Sequence, residues 1–461
     1  MSKTERQAQK LALEGGLKAV TTIQGKGKPK IGKDELMAVV ERFALPPEAV
    51  KRVSDALSDE DFAGGPYLAN YYSSLKETSN QAFARVARDI FGVKYALPVS
   101  SGTGALHAAF VAAGVKPGTE VICSAIGFYA TAAAVVMAKG VPVFCDVDES
   151  LHMDPAKIAG LINKRTACIA PTHVMGSVAK MDAIMKVAKK HKLPVVEDCA
   201  QSCGGRVKGK YVGTWGDLGI FSISSYKIVG GGEGGMLVTD KEKMYDAACI
   251  LAEGGGLTRP VRFGPERYPG ELFVGTNYRM SELEAAIDAV QLKKMPALFK
   301  RFHNAKMRVL SQLQTFAEIT PQKLNDPDGE VGYTLRFFPE SIGLSRQIVT
   351  ALNAEGVGCG MRGDNAAPDW HIYYHMFPLV LQQGGPGQDN CPFGCERYLK
   401  AGGKADYSKG QCPVADDLFD RMISVGLNQW YSAADCKHIA TAINKVLGAY
   451  CTADPKGKKW L

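Results

Sequence analysis

Between about Gln81 and Thr239 the chain switches repeatedly between two hydrophobic periods. Short apolar runs rich in Val and Ile recur at 119–123, 141–145, 166–170, 193–197, 218–223 and 236–239. Helix-like segments such as 128–138 and 179–191 separate the earlier runs. A strand that is apolar on both faces must be covered on both faces, and a helix between successive strands provides the crossover that parallel pairing needs. The pattern therefore predicts an α/β fold with a largely parallel sheet between two layers of helix.

At 461 residues the chain exceeds what one hydrophobic core usually organises, so two domains on a common scaffold are expected. Residues 1–55 read as an N-terminal extension with some helix and a charged, breaker-rich loop at 26–30. A large domain follows over 56–295 and a smaller one over 296–461. A long helical stretch, 281–318, joins them, with Leu283, Ala286, Ala289, Val290 and Leu292 on one face. The segment 382–412, rich in Gly, Cys and polar residues, reads as a long loop or insertion.

Charge and cysteine usage exclude several classes. The formal charge is +8, but Lys and Arg are dispersed rather than gathered into the basic stripe of a nucleic-acid binder. A modest positive excess suits anionic small molecules, and equally suits a solvated surface. No run reaches the roughly 18 uncharged apolar residues of a membrane span. Met1 to Lys10 is polar and lacks the apolar centre of a secretory signal. Several of the twelve cysteines, among them Cys123, Cys145, Cys168 and Cys249, sit inside apolar runs as buried thiols do. A reducing, cytoplasmic location follows as the expectation. Cys391, Cys395 and Cys412 are loosely spaced like metal ligands but lack a fourth, so no metal is expected.

Three segments carry chemistry. Residues 99–107, with Gly102, Thr103 and Gly104, join a short strand to an apolar helix. A helix start with small residues offers free N–H groups to a phosphate, although the same residues also serve as ordinary caps. Residues 193–201 are an apolar strand ending in Glu197 and Asp198. Ligands of α/β sheets lie at such carboxyl ends, where an acid can pair with a protonated ring nitrogen or simply cap the next helix. Residues 221–235 place Lys227 between a hydroxyl-rich strand end and a glycine-rich turn. A lysine in a confined pocket becomes a carbonyl nucleophile; an exposed lysine on a glycine hairpin is the plain alternative.

In this order and at these distances the segments resemble the DegT/DnrJ/StrS sugar aminotransferases, pyridoxal-phosphate enzymes of the aspartate-aminotransferase fold (fold type I). The matching stretches are SSGTGALHAA, GFYATAAA, THVMGS, VVEDCAQS, FSISSYKIVGGGEGG, and TNYRMSELEAA followed by QL. The resemblance is strong over roughly 60–300 and faint beyond. It implies a mostly parallel seven-stranded sheet in a three-layer large domain, with a smaller C-terminal α+β domain. It implies that Lys227 carries pyridoxal 5′-phosphate as a Schiff base and that Asp198 partners the ring nitrogen. Gln201 would lie close to the ring and Phe128 would stack on it. Gly102, Thr103, Gly104 and Ser222 would contact the phosphate. Asn277 would reach the phosphate of a neighbouring subunit, which implies a homodimer with shared active sites. His173 falls where the family usually has a histidine and is a candidate substrate contact. Trp370 and His371 are candidates for the sugar pocket or for a structural role.

The implied activity is amino transfer from an amino acid, L-glutamate or L-glutamine, to a keto or aldehyde sugar or cyclitol in amino-sugar biosynthesis. Gly176 to Asp182, and more loosely Asp369-Trp370-His371, resemble the branch that aminates an eight-carbon keto-deoxy sugar acid; cyclitol and nucleotide-sugar branches share the same core. The chain departs from the family at Ser224 and Ser225, where His or Pro is common. The extension and the Cys-rich segment are also atypical, which leaves the acceptor open. Two alternatives remain at this level. One is a sugar dehydratase on the same scaffold, whose members carry His in place of the lysine. The other is a regulator that binds the cofactor without turnover.

Overall fold

The computed structural model describes residues 10–22, 31–62, 68, 76–257, 262–363, 368–386 and 390–461. The first nine residues and the loop 26–30 lie outside them. The chain divides into two compact units, Met1–Lys76 and Glu77–Leu461.

The first unit contains the helices Lys33–Val40 and Pro47–Asp55. Asp34 and Glu35 lie in the first turn of the former, where negative charge complements the helix dipole. The Gly32 N–H donates to the Glu35 carboxylate at 2.7 Å. Pro47 opens the second helix, where its missing N–H costs nothing.

The second unit is built on β1 (Tyr95–Val99), β2 (Glu120–Ser124), β3 (Val141–Cys145), β4 (Thr166–Ala170) and β5 (Val196–Asp198). A two-stranded hairpin, β6 (Arg206–Val207) and β7 (Lys210–Tyr211), stands apart. The last two strands are β8 (Leu218–Ser222) and β9 (Gly235–Thr239). The ladders β1-β9-β8-β5 and β3-β2-β4 are joined by parallel bridges Ile169↔Val195 and Thr172↔Asp198. The order is thus β1-β9-β8-β5-β4-β2-β3. Only β9 runs against its neighbours. The reason is local: no helix separates β8 from β9, only the glycine turn 230–234, and a direct return pairs antiparallel.

Side chains on the strands alternate between two cores. Ile122, Phe221, Met236 and Val238 pack with Phe83, Met181, Ile184 and Leu292 on one face. Val121, Cys123, Ile220 and Leu237 pack with Leu106, Phe110, Val135 and Cys249 on the other. This is the three-layer arrangement that the doubly apolar strands require.

The long helix runs Glu282–Leu310, capped by the Ser281 hydroxyl. It ends short of the expected 318. The Asn444 side chain takes over the backbone beyond it, accepting from the Gln314 N–H at 2.9 Å and donating to the Gln312 carbonyl at 2.8 Å. Four strands follow: β10 (Ile319–Pro321), β11 (Thr334–Pro339), β12 (Cys359–Met361) and β13 (Ile423–Gly426). They form an antiparallel sheet in the order β10-β11-β13-β12. The helices Ile342–Ala354 and Ala433–Tyr450 share its core, through Ile348, Leu352, Ile443 and Leu447.

The Gly/Cys-rich segment is more ordered than an extended loop. It contains the helix Glu396–Lys400, and Phe393, Tyr398 and Tyr407 are buried against Ala132, Val136 and Met376. The Tyr398 hydroxyl donates to Glu120 at 3.2 Å and that of Tyr407 to the Pro142 carbonyl at 2.9 Å. All twelve cysteines are free thiols.

Candidate active site

The carboxyl ends of β1, β5 and β8 converge on one cavity of about 340 Å³. After β1 the chain turns into the helix Gly102–Ala112. Its first-turn N–H groups have no carbonyl of their own to bond. Gly102 and Thr103 line the cavity beside Ser222 at the end of β8. Glycine is required at 102, because a Cβ there would lie 2.8 Å from the Ser222 Cβ. Gly104 departs from expectation. Its N–H donates to the Ser101 hydroxyl at 3.0 Å as part of the helix cap, and it is not on the cavity wall.

Asp198 ends β5, buried, at the base of the cavity. Its Oδ2 accepts from the Thr131 hydroxyl at 2.5 Å and its Oδ1 from the Ala200 N–H at 3.0 Å, so its orientation is fixed from two sides. Thr131 was not singled out in the sequence. Its one signal there is a hydroxyl within the otherwise apolar run 130–137.

Phe128 lines the same cavity with its side chain 44% exposed, far more than a core phenylalanine. A second strand-like segment holds it. The Gly127 and Tyr129 N–H groups donate to the carbonyls of His371 and Trp370, both at 2.9 Å. This pairing brings His371 onto the wall, its ring 5.2 Å from that of Phe128. Asp369 fixes the His371 ring at 2.7 Å and pairs with Arg362 through its other oxygen. Trp370 does not line the cavity; it packs edge-on against Tyr129, centroids 4.7 Å apart.

Lys227 follows β8 and lines the cavity together with Asp198. Its backbone is set by the glycine turn: the Ser225 N–H donates to the Gly232 carbonyl and the Lys227 N–H to the Ser224 carbonyl, both at 2.9 Å. Burial pushes the Lys227 ammonium below the ordinary lysine range, and the charge of Asp198 opposes this in part. The direction of the shift is the one a carbonyl nucleophile needs, because it makes the amine easier to deprotonate.

Gln201 lines the cavity, with Oε1 accepting from the Met175 N–H at 2.8 Å. Among the described residues its amide NH₂ has no hydrogen-bond partner. A second cavity of about 480 Å³ shares Lys227, Gln201 and His371 with the first and is walled by Tyr333, Arg336 and Gln429.

His173 corrects the sequence expectation of a substrate contact. It is fully buried and lines neither cavity. Its Nδ1 accepts from the Ala179 N–H at 3.1 Å, so Nε2 carries the hydrogen toward Glu197 at 3.2 Å. Glu197 also accepts from the N–H groups of Gly213 and Gly216, at 2.9 and 2.6 Å. His173, Glu197 and Cys199 are the one trio of close ligand-type atoms among the described residues, and those bonds already occupy the histidine and the acid. Cys391, Cys395 and Cys412 do not form such a group. Asn277 is exposed, lies outside this chain's own cavity walls, and accepts from the Arg279 N–H at 3.1 Å.

The residues present fit pyridoxal phosphate part by part. Gly102, Thr103 and Ser222 suit the phosphate, Phe128 the ring face, Asp198 the ring nitrogen and Lys227 the aldehyde. The sheet order and this residue set define the chain as a pyridoxal-phosphate-dependent transferase of fold type I. The model of the DegT/DnrJ/EryC1/StrS aminotransferase family matches residues 70–373, and the chain belongs to that family. It is 35% identical over 267 residues to a putative L-glutamine:3-amino-2,3-dideoxy-scyllo-inosose aminotransferase of Micromonospora echinospora; the match spans 58% of this chain and 60% of that protein. A Streptomyces kanamyceticus protein of the same description is 34% identical over 334 residues, 70% of this chain and 76% of its own. An aminotransferase from Psychrobacter cryohalolentis superposes with a TM-score of 0.64 at 25% identity, covering 83% of this chain and 94% of its own.

Proposed function

We propose that the protein is an aminotransferase that moves the amino group of L-glutamate or L-glutamine to the carbonyl of a keto or aldehyde sugar or cyclitol, in amino-sugar biosynthesis. The observation that carries this reading is the Lys227 amine, weakened as a base by burial, in one cavity with Asp198, Phe128 and the start of the helix Gly102–Ala112. Bound pyridoxal phosphate supplies an electron sink for the pair left when the donor α-carbon loses its proton. The helix start and Ser222 bind the phosphate. Phe128 covers one face of the ring, and Asp198, held by Thr131 and Ala200, keeps the ring nitrogen protonated. The Lys227 Nζ would carry a proton to and from the reacting carbon.

A lysine at 227, rather than the histidine of the dehydratases, favours amino transfer over dehydration. The relatives above bear names of cyclitol aminotransferases, and this supports a polyhydroxylated carbonyl acceptor. A homodimer with Asn277 reaching the partner's phosphate belongs to the same reading. It is supported by the exposed Tyr226 beside Lys227 and the exposed Val274 near Asn277, side chains that a second copy would cover. A cytoplasmic location is supported by the free thiols. No helix among the described residues is long and apolar enough to cross a membrane.

The test is the absorbance spectrum of the purified protein with and without an amino donor. Conversion of the bound cofactor to its pyridoxamine form by L-glutamine or L-glutamate is expected. A bound cofactor that neither donor converts would overturn the reading.

A further inference from the structure

We propose that Asp288 and Glu284 of the long helix hold one shared proton beneath the glycine turn 230–234, and that the turn opens by giving this proton up, which loosens the grip of Lys227 on the cofactor. The inference rests on the reading that Lys227 carries pyridoxal phosphate, and adds a control of that site by pH.

Glu284 and Asp288 are four residues apart and stand on one face of the helix Glu282–Leu310. The turn closes over them. A Cβ at Gly231 or Gly234 would collide with the Asp288 carboxyl oxygens, and one at Gly232 with Glu284 Oε2. Residues without side chains let the backbone come this close to two carboxyl groups. The other neighbours are apolar: Ile287 lies beside Gly231 and the Met280 methyl beside Gly234.

Asp288 is fully buried, and no donor from another residue reaches either of its oxygens or Glu284 Oε1. Buried acceptors are almost always paired. The donor that satisfies these is their own proton, which Asp288 keeps and donates to Glu284. Two carboxyl groups sharing one site cannot both ionise at the usual pH. Burial first, then the Glu284 charge, raises Asp288 to about 8. The Glu233 N–H favours the charged form of Glu284, and the Glu233 carboxylate opposes it.

No protein cation replaces the proton. The charged groups that face the pair are each other and Glu233. The helix Ser79–Phe91 packs along the same long helix, but the charges of its Arg85, Arg88 and Asp89 do not act on the pair. Lys227 feels the charge of Asp198 and of neither of these acids. Mg²⁺ and Ca²⁺ take about six or more ligands. Among the described residues no third ligand-type side chain joins Asp288 and Glu284.

The turn is tied to the lysine segment by backbone bonds. The Gly231 N–H donates to the Ile223 carbonyl at 3.2 Å, the Ile223 N–H to the Gly234 carbonyl at 2.8 Å and the Ser225 N–H to the Gly232 carbonyl at 2.9 Å. Glu233 lines the cofactor cavity with Lys227. Opening the turn breaks these bonds and hydrates the pair, and Asp288 then ionises at its ordinary value near 3.8. Between that value and about 8 the closed turn binds one proton more than the open one. Rising pH therefore favours opening by about tenfold per unit across that range, and adds nothing above it.

The test follows hydrogen exchange of the peptide spanning residues 223–235 in the protein loaded with pyridoxal phosphate, with Asp288→Asn as the reference. Asn keeps a donor for Glu284 and does not titrate, so the ratio of the two rates cancels the intrinsic pH dependence of exchange. The ratio is expected to climb by about tenfold per pH unit and to level off near pH 8. Release of the cofactor, read as the decay of its bound absorbance on dilution, should bend at the same pH. Glu284→Gln should bend at a lower pH, because the like charge is gone, and it serves as the reference if Asp288→Asn does not fold. A ratio without pH dependence, or cofactor release that ignores the bend, would overturn the inference. A flat ratio with exchange slowed by MgCl₂ would also overturn it, and would make the pair a metal site. A protein that takes up no pyridoxal phosphate yet keeps the exchange bend would strike the aminotransferase reading and leave the proton-linked turn standing.

Discussion

The Thr131 hydroxyl and Asp198 Oδ2 are joined by a 2.5 Å hydrogen bond at the floor of the cofactor cavity, both residues almost wholly buried. Thr131→Val keeps the shape and removes the donor, leaving a buried carboxylate oxygen short of a partner, a loss of about 1–3 kcal/mol. If Asp198 acts on the cofactor, the donor-driven absorbance change should slow by roughly tenfold in Thr131→Val. It should slow far more in Asp198→Asn. Stopped-flow absorbance with saturating donor makes the comparison.

Lys227→Arg retains a positive charge but replaces an amine that can lose its proton with a guanidinium that cannot. Borohydride treatment of the wild type loaded with pyridoxal phosphate should fix the cofactor to the peptide containing residue 227, read by mass spectrometry. Lys227→Arg should give no adduct and no turnover. Wild-type labelling at another lysine would refute the assignment.

Lys306 and Glu330 form an ion pair at 2.8 Å with both side chains essentially inaccessible, linking the long helix to the segment before β11. Lys306→Met leaves the Glu330 charge buried and should lower stability by about 3–5 kcal/mol in denaturant titrations. The double variant Lys306→Met/Glu330→Leu should recover part of that loss, because it removes both desolvated charges.

Asp288 of the long helix is fully buried under the glycine turn; a Cβ at Gly231 or Gly234 would collide with its carboxyl oxygens. Burial, reinforced by Glu284, raises its carboxyl to about 8. An acid whose folded pKa is raised contributes stability that is full below its unfolded value, near 3.8, and is lost as pH climbs through about 8. Thermal melts should show Asp288→Asn gaining on the wild type as pH rises from 5 to 9. A constant difference across that range would count against a protonated Asp288.

Much of the large layer was legible because its signals are local. Val- and Ile-rich runs with helical segments between them fix strand and helix types, whereas the antiparallel direction of β9 came only with the structure. Lys227 stood out for the same reason, since the hydroxyl-rich strand end and the glycines adjoin it in sequence, but an exposed lysine on a glycine hairpin stayed open until the fold placed it on a cavity wall. The long helix was overextended to 318, because its stop comes from Asn444, more than a hundred residues away in the chain.

The finer site was not legible. Gly104 belongs to the same glycine motif as Gly102, yet its N–H closes the helix cap. His173 stands in a motif and looks chemical, yet both of its ring nitrogens are bound within the core. Thr131 and Arg336 carry no motif, and their place at the site depends on which distant segments pack beside them. The sequence by itself determined the layered α/β architecture and marked the lysine and the acid as candidates, since each signal is set by residues adjacent in the chain. Only the tertiary structure decided which polar groups are left without partners, because that depends on every neighbour a folded side chain meets.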